Sequence, residues 1–204
     1  MKKLFVIFLA ALMLLSCLTA CSSGKTLADI EKAGKLTIAT SPDFPPFEYL
    51  AEDGSVVGIE IDILNLVCAE LGVELDIQQM DFDSVLPGVQ AGKFTVGVSG
   101  ISVTPAREEN TLFTDPYCLA AQAIVVLKDS AITCKADLEG KSVAVQTGTT
   151  AEEFCMGAGY TVNAYTANAD AQEALISGKV DQVIDCGTHL LFIATVTQAE
   201  NLSK

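Results

Sequence analysis

The sequence predicts an α/β fold in two similar lobes. Extended and helical segments alternate along most of the chain, the alternation restarts past residue 127, and one helix–glycine–lysine–strand passage occurs twice. The first run reads as extended over 36–40, helical over 61–71, extended over 73–79, helical over 84–91 and extended over 94–98. In its first helix Ile61, Leu64, Cys68 and Leu71 recur at helical spacing and share one apolar face. The second run is extended over 142–146, helical over 150–156, extended over 161–165, helical over 169–177 and extended over 180–184. The repeated passage is Val89-Gln90-Ala91-Gly92-Lys93-Phe94-Thr95-Val96 against Leu175-Ile176-Ser177-Gly178-Lys179-Val180-Asp181-Gln182, in which a glycine stops each helix. A boundary is expected near residues 120–123, after Phe113-Thr114-Asp115-Pro116-Tyr117, placing lobe one at 28–121 and lobe two at 122–204.

The first residues read as a leader and not as fold. Lys2 and Lys3 precede an unbroken apolar run of twelve, residues 4–15. A spanning helix needs roughly 20 such residues. Leu18-Thr19-Ala20-Cys21 resembles the bacterial lipobox, which implies removal of residues 1–20, acylation of Cys21 and a polar tether over 21–27. The full chain carries 12 basic and 26 acidic residues, and losing Lys2 and Lys3 leaves ten against 26, a net charge of −16. That sign excludes a nucleic-acid partner, whose phosphates require basic surface. Of seven cysteines, Cys17 falls in the leader and Cys21 at its end. Cys68, Cys118, Cys134, Cys155 and Cys186 remain, with no Cys-x-x-Cys and no zinc spacing. They are expected to be mainly small buried hydrophobes, with room for one disulfide.

Three stretches could bind a ligand. Arg107, the only arginine, follows Ser102-Val103-Thr104-Pro105-Ala106, where Thr104 suits a helix N-cap and Pro105 the first helical position. A guanidinium beside a helix start suits a carboxylate. A surface pair with Glu108 or Glu109 is the other local reading. Gly148-Thr149-Thr150 opens a second helix, with Thr150 and Glu153 in a capping-box pattern. Both starts follow strands, the end at which open α/β sheets bind ligands. Ser41-Pro42-Asp43-Phe44-Pro45-Pro46-Phe47-Glu48 leaves the first strand, and its prolines stiffen the loop that carries Phe44 and Phe47. Phe44 is placed to stack on a ligand; Phe47 fits that role or the core equally well. No catalytic set emerges: His189 has no serine or cysteine partner in a known motif, and Gly97 with Gly100 makes no dinucleotide fingerprint.

Gly58-Ile59-Glu60-Ile61-Asp62-Ile63, continuing through Val67, Cys68 and Leu71, resembles the signature segment of the bacterial extracellular solute-binding proteins of family 3. The Pro46-Phe47-Glu48 loop, Gly100 to Thr104 with Arg107, Phe113 to Tyr117 and Gly148-Thr149-Thr150 resemble that family in the same order. The resemblance implies a periplasmic-binding-protein-like (type II) clamshell that closes on one solute. Phe44 would stack on the solute's side chain; Arg107, the Ser102 hydroxyl and backbone near Gly100 would take its α-carboxylate. Gln146, Thr149 and Thr150 would contribute from lobe two. Three departures bear on the ligand. Ser41 stands where many members carry an acid, which argues against a cationic amino acid; Thr95 stands at a usual aspartate. Cys186 occupies the place of the ammonium-binding aspartate, one past Asp185, and strand alternation turns Asp185 to the opposite face unless a bulge re-aims it, so either Asp185 is re-aimed, or the ammonium is held differently, or the ligand has no such group. Ser41 and Asp185 complete the candidate binding residues. Members also return to lobe one through a further crossover, which the expected architecture here lacks after Lys204.

The resulting expectation is a monomeric lipoprotein outside the cytoplasm that binds a free amino acid or analogue without cofactor or metal and serves an ABC importer permease, held to the membrane by its lipid. An enzyme on the same fold, similar to the cyclohexadienyl or arogenate dehydratases, would need a general acid in the cleft, for which Asp185 is the sole candidate. A sensor ectodomain would need a spanning helix. Substituting Cys21→Ser is expected to leave the protein unprocessed or release it to the soluble fraction; processing and lipidation at Cys17 instead, read by mass spectrometry, would overturn the assignment.

Overall fold

A computed structural model describes residues 25–186. The expected leader with Cys17 and Cys21, the first residues of the expected tether, His189 and the end of the expected second lobe lie outside the described residues, as does the side chain of Cys186. The chain opens with α1 (Leu27–Ala33) and β1 (Lys35–Thr40), then the short strands β2 (Asp43–Phe44), β3 (Glu48–Leu50) and β4 (Val56–Val57). There follow α2 (Ile59–Leu71), β5 (Glu74–Gln79), α3 (Phe82–Gln90), β6 (Val96–Gly97) and α4 (Pro105–Glu108). The second half contains β7 (Gln122–Val125), a 3₁₀ turn (Lys135–Leu138), β8 (Ser142–Gln146), α5 (Thr150–Gly157), β9 (Thr161–Tyr165), α6 (Asn168–Ile176) and β10 (Gln182–Cys186).

Three sheets result. β1 lies between β5 and β6, all parallel. β8, β9 and β10 are parallel in the order β10-β8-β9, and β7 adds antiparallel to β10. β2, β3 and β4 form a small antiparallel meander. Parallel strands joined by helices require both sheet faces to be covered, and side-chain parity shows how. Val143, Val145 and Ile184 point to the α5 side with Ala151, Cys155, Leu138 and Ile132. Ala144 and Val183, one residue out of phase, point to the α6 side with Ala171, Ala174 and Leu175. In the first half Leu36 and Ile38 meet Ile61, Leu64 and Cys68 of α2, the face expected from their spacing.

The repeated passage is a repeated structure. Gly92 and Gly178 have φ of 70° and 73°. Gly92 N–H donates to Val89 O at 2.8 Å and Lys93 N–H to Gly88 O at 3.0 Å; Gly178 N–H donates to Leu175 O at 3.0 Å and Lys179 N–H to Ala174 O at 2.8 Å. Both are Schellman ends, which consume two orphan carbonyls and turn the chain back toward its sheet.

The expected elements differ from the observed ones in a few places. β6 spans two residues, not five, because it meets β1 only at Ile38 and Ala39. β10 starts at Gln182, after Asp181 has accepted the Ser142 N–H and hydroxyl at 2.8 Å each. Thr149, not Thr150, caps α5: its Oγ1 accepts from Glu152 N–H at 3.2 Å. Cys68 and Cys155 are buried as expected, whereas Cys118 and Cys134 are exposed; all four are free thiols. Among the described residues no helix is long and apolar enough to cross a membrane.

A Cβ at position 178 would meet no atom within 4 Å, so Gly178→Ala tests backbone conformation alone. It is expected to cost about 1–2 kcal/mol in urea unfolding, with Gly178→Asn less harmful because asparagine tolerates the left-handed region.

Candidate functional site

A cavity of about 40 Å³ lies between the carboxyl ends of the two parallel sheets. Its walls include Phe44, Gly100, Ser102 and Arg107 from the first half, and Gln146, Thr149, Thr150 and Asp185 from the second. Eight of the nine binding residues expected from sequence therefore converge on one space, although they come from segments up to 141 positions apart. The ninth, Ser41, does not line it. Ser41 is buried, takes Ser99 Oγ with its N–H at 3.0 Å and donates its hydroxyl to Asp43 Oδ1 at 3.1 Å. It aims Asp43, which does line the cavity.

Arg107 rides on α4 as expected: Thr104 is the N-cap, its Oγ1 accepting from Arg107 N–H, and Pro105 opens the helix. The guanidinium bonds to neither Glu108 nor Glu109. It donates to Ser102 O at 2.8 Å and, across the cleft, to Gly148 O at 3.0 Å. Burial lowers its pKa and the Glu153 charge opposes that, but arginine stays protonated throughout the physiological range. Two of its five donors are used, so three remain for an anion.

Opposite Arg107 stand two carboxylates. Asp43 Oδ2 accepts from Gln146 Nε2 at 3.0 Å and from the backbone N–H of Asn168 at 2.9 Å. The second bond caps α6, whose own N-cap, Ala167, has no side-chain acceptor, so an aspartate of the first half closes a helix of the second. Asp185 Oδ2 accepts from Asn168 Nδ2 at 2.8 Å. Asp185 reaches the cavity without the bulge that strand alternation called for, since β10 pairs regularly with β7 from Val183↔Val125 to Cys186↔Gln122. Asp185 shares the α6 side with Val183, and the cavity reaches that side because α6 begins at its rim.

Backbone near Gly100 is the other correction. Gly100 N–H is not directed at the cavity but donates to both oxygens of Glu60, at 3.1 and 3.2 Å. Glycine is needed there for a different reason: at φ 56° an added Cβ would lie 2.8 Å from the Phe44 ring. Phe44 in turn stacks on Phe47, centroids 5.6 Å apart, with Phe47 in the core. Phe44 is thus a fixed wall.

Sequence reasoning missed Asp43, Phe82, Ser99, Gln122 and Ala151, which also line the cavity. Asp43 could have been found, since it sits two residues after Ser41 in the loop already singled out. Gln122 binds Thr150 Oγ1 at 2.9 Å, a pairing visible only once β7 joins the second sheet. Among the described residues no cluster of three His, Cys, Asp or Glu could hold a metal.

Comparison with known proteins gives the family and the fold. The model of the bacterial extracellular solute-binding proteins, family 3, matches residues 36–188. The arginine-binding extracellular protein ArtP of Bacillus subtilis is 36% identical over 153 residues, 75% of this chain and 59% of that protein. The chain spans about six-tenths of the length of the curated relatives it matches first. The arginine-bound form of truncated ArgBP from T. maritima superposes with a TM-score of 0.79 at 38% identity, covering 82% of this chain and 81% of that one. An ancestral amino-acid-binding protein, a precursor of cyclohexadienyl dehydratase, gives a TM-score of 0.81 at 32% identity over 85% of this chain and 79% of its own. The fold is that of these two-lobe binding proteins, and the chain belongs to the bacterial extracellular solute-binding proteins of family 3.

Proposed function

We propose that this protein captures a free amino acid with a cationic side chain between lobes spanning 28–121 and 122–204, outside the cytoplasm, and delivers it to an ABC importer while anchored through lipidated Cys21. The observation that carries the reading is the charge of the cavity lining: one guanidinium, Arg107, shares it with two carboxylates, Asp43 and Asp185, and the Phe44 ring is one wall. Relatives described as arginine-binding proteins support the same class of solute.

In this reading the solute's α-carboxylate takes the free donors of Arg107 and the hydroxyls of Ser102 and Thr150, while Thr149 Oγ1, which donates to Gln146 O at 2.7 Å and accepts from Glu152 N–H, holds the start of α5 beside it. Its ammonium meets Asp185. Its side-chain cation meets Asp43 over the face of Phe44. Gln146 holds the Asp43 carboxylate and does not touch the solute first. Asp43 supplies the acid that Ser41 lacks, which removes the sequence-based objection to a cationic ligand. A cavity of about 40 Å³ accommodates only a few waters, so the lobes part to admit the solute and close over it. Every polar group in this scheme binds and none transfers a proton, which supports a carrier over a dehydratase.

Isothermal titration calorimetry is expected to show L-arginine binding and no L-glutamate binding, and the reverse order would sink the proposal. Arg107→Ala is expected to weaken L-arginine at least tenfold, since a charge-assisted hydrogen bond is worth about 1.5–3 kcal/mol. Arg107→Lys is expected to recover little, because a point charge cannot replace the planar fork. Asp43→Asn is expected to reduce the preference for L-arginine over L-glutamine, while affinity unchanged for both would assign Asp43 to helix capping alone.

A further inference from the structure

Behind the Ser99–Gly100 edge of the cavity lie two carboxyl groups that the proposed binding scheme does not use. Glu48 of β3 is 0% exposed and Glu60, in the first turn of α2, 2%. Glu60 accepts the Gly100 N–H on both oxygens and the Tyr117 hydroxyl on Oε1. Glu48 Oε1 accepts the Ser99 hydroxyl at 3.1 Å. Glu48 Oε2 is fully buried and meets no donor, and the Glu60 carboxyl is within side-chain hydrogen-bonding reach of Glu48. The groups around the pair are Asp43 from β2, Ser99 from the end of β6 and Tyr117 from the segment before β7. Among the described residues no lysine or arginine acts on Glu48.

Two ionised carboxylates in contact, out of water and without a cation, repel strongly, and neither can donate to the other. One proton resolves both problems. Glu60 is already the acceptor for Gly100 and Tyr117, whereas Glu48 has an oxygen with nothing to accept. We propose that Glu48 carries a proton on Oε2 and donates it to Glu60, and that this acid–carboxylate pair positions the Ser99–Gly100 edge of the cavity. Each polar group is then matched: Glu60 receives Gly100, Tyr117 and Glu48, and Glu48 receives Ser99. The environment agrees, since burial first, then the Glu60 carboxylate, and more weakly Asp43, push the Glu48 carboxyl well above the ordinary range against the Ser99 hydroxyl. Both residues act through others. Gly100, pinned by Glu60, backs the Phe44 ring, and Ser99, held by Glu48, takes the Ser41 N–H. The pair rests on the geometry of the cavity edge and not on which solute is bound.

Infrared spectroscopy on the folded protein at pH 8 in D₂O is expected to retain one carboxylic-acid C=O band, absent in Glu48→Gln. Glutamine mimics the protonated acid, its amide donating to Glu60 and its carbonyl accepting from Ser99, so this variant is expected to fold. A second reading comes from urea unfolding across pH. An acid protonated in the folded state ionises on unfolding above about pH 4.3, so its contribution is complete below that pH and declines as pH rises toward the raised folded value. The unfolding constant of the wild type relative to Glu48→Gln is therefore expected to grow about tenfold per pH unit, several hundredfold between pH 5.5 and 8. Glu60→Gln turns an amide N–H toward Gly100 N–H or the Tyr117 hydroxyl and is expected to destabilise at every pH. No acid band in the wild type, or parallel pH profiles for wild type and Glu48→Gln, would overturn the proposal. Both readouts are taken without solute, so a failure of L-arginine to bind would refute the proposed function and leave this result standing.

Discussion

Buried carboxylates must find donors, and in this protein that requirement ties the two lobes together. Asp43 takes hydrogen bonds from Ser41 on its own side and from Gln146 and the Asn168 N–H on the other. The first contact fixes its rotamer, and the other two set where α6 and the end of β8 can sit. Arg107 makes the reciprocal crossing to Gly148 O. An acid reaching to a helix start and a guanidinium reaching to a carbonyl are complementary, so the cleft closes along two charge-assisted contacts that both use main-chain groups. Main-chain partners matter because they hold wherever the second lobe folds, independent of what its side chains become.

The sheets explain why these groups arrive at one place. Parallel strands end at the same edge, and each is followed by a turn into a helix, so side chains at strand ends and helix starts accumulate there. Gln146 ends β8, Thr149 caps α5 and Asn168 opens α6. The twin glycine stops at Gly92 and Gly178 return the chain to β6 and β10, after which Ser99, Gly100 and Asp185 reach the rim.

What could be read from sequence divides along physical lines. β8 was legible to the residue because it is an inner strand with buried apolar side chains on both faces, β9, at the sheet edge, because Val162 and Ala164 alternate with polar residues, and α2 because Ile61, Leu64 and Cys68 mark a helical stripe. The β2-β3-β4 meander was not, since strands of two or three residues show no periodicity. Thr149 and Thr150 are chemically equivalent caps, and only the backbone decides between them. The site residues were legible as types in the right segments. Their directions were not: Gly100 N–H turns inward to a buried glutamate that no local pattern ties to it, and Asp185 reaches the cavity by virtue of where α6 starts. Asp43 was overlooked because attention fell on the strand-end position, whereas the loop carries its acid two residues later.

The balance of charge around the cleft gives a physical reason for the proposed class of solute. Among the described residues that line the cavity Arg107 is the one cation beside Asp43 and Asp185, and the buried Glu60 carboxyl lies just behind Gly100. Closing the lobes removes water from this set, which raises the cost of any charge left without a partner. A neutral zwitterion would match Arg107 and Asp185 but bring no second charge to Asp43. An amino acid with a second cation matches all three groups, so the same desolvation that penalises a mismatched solute strengthens each contact with a matched one. Selectivity then comes from the closed state, because in the open cleft water screens these differences.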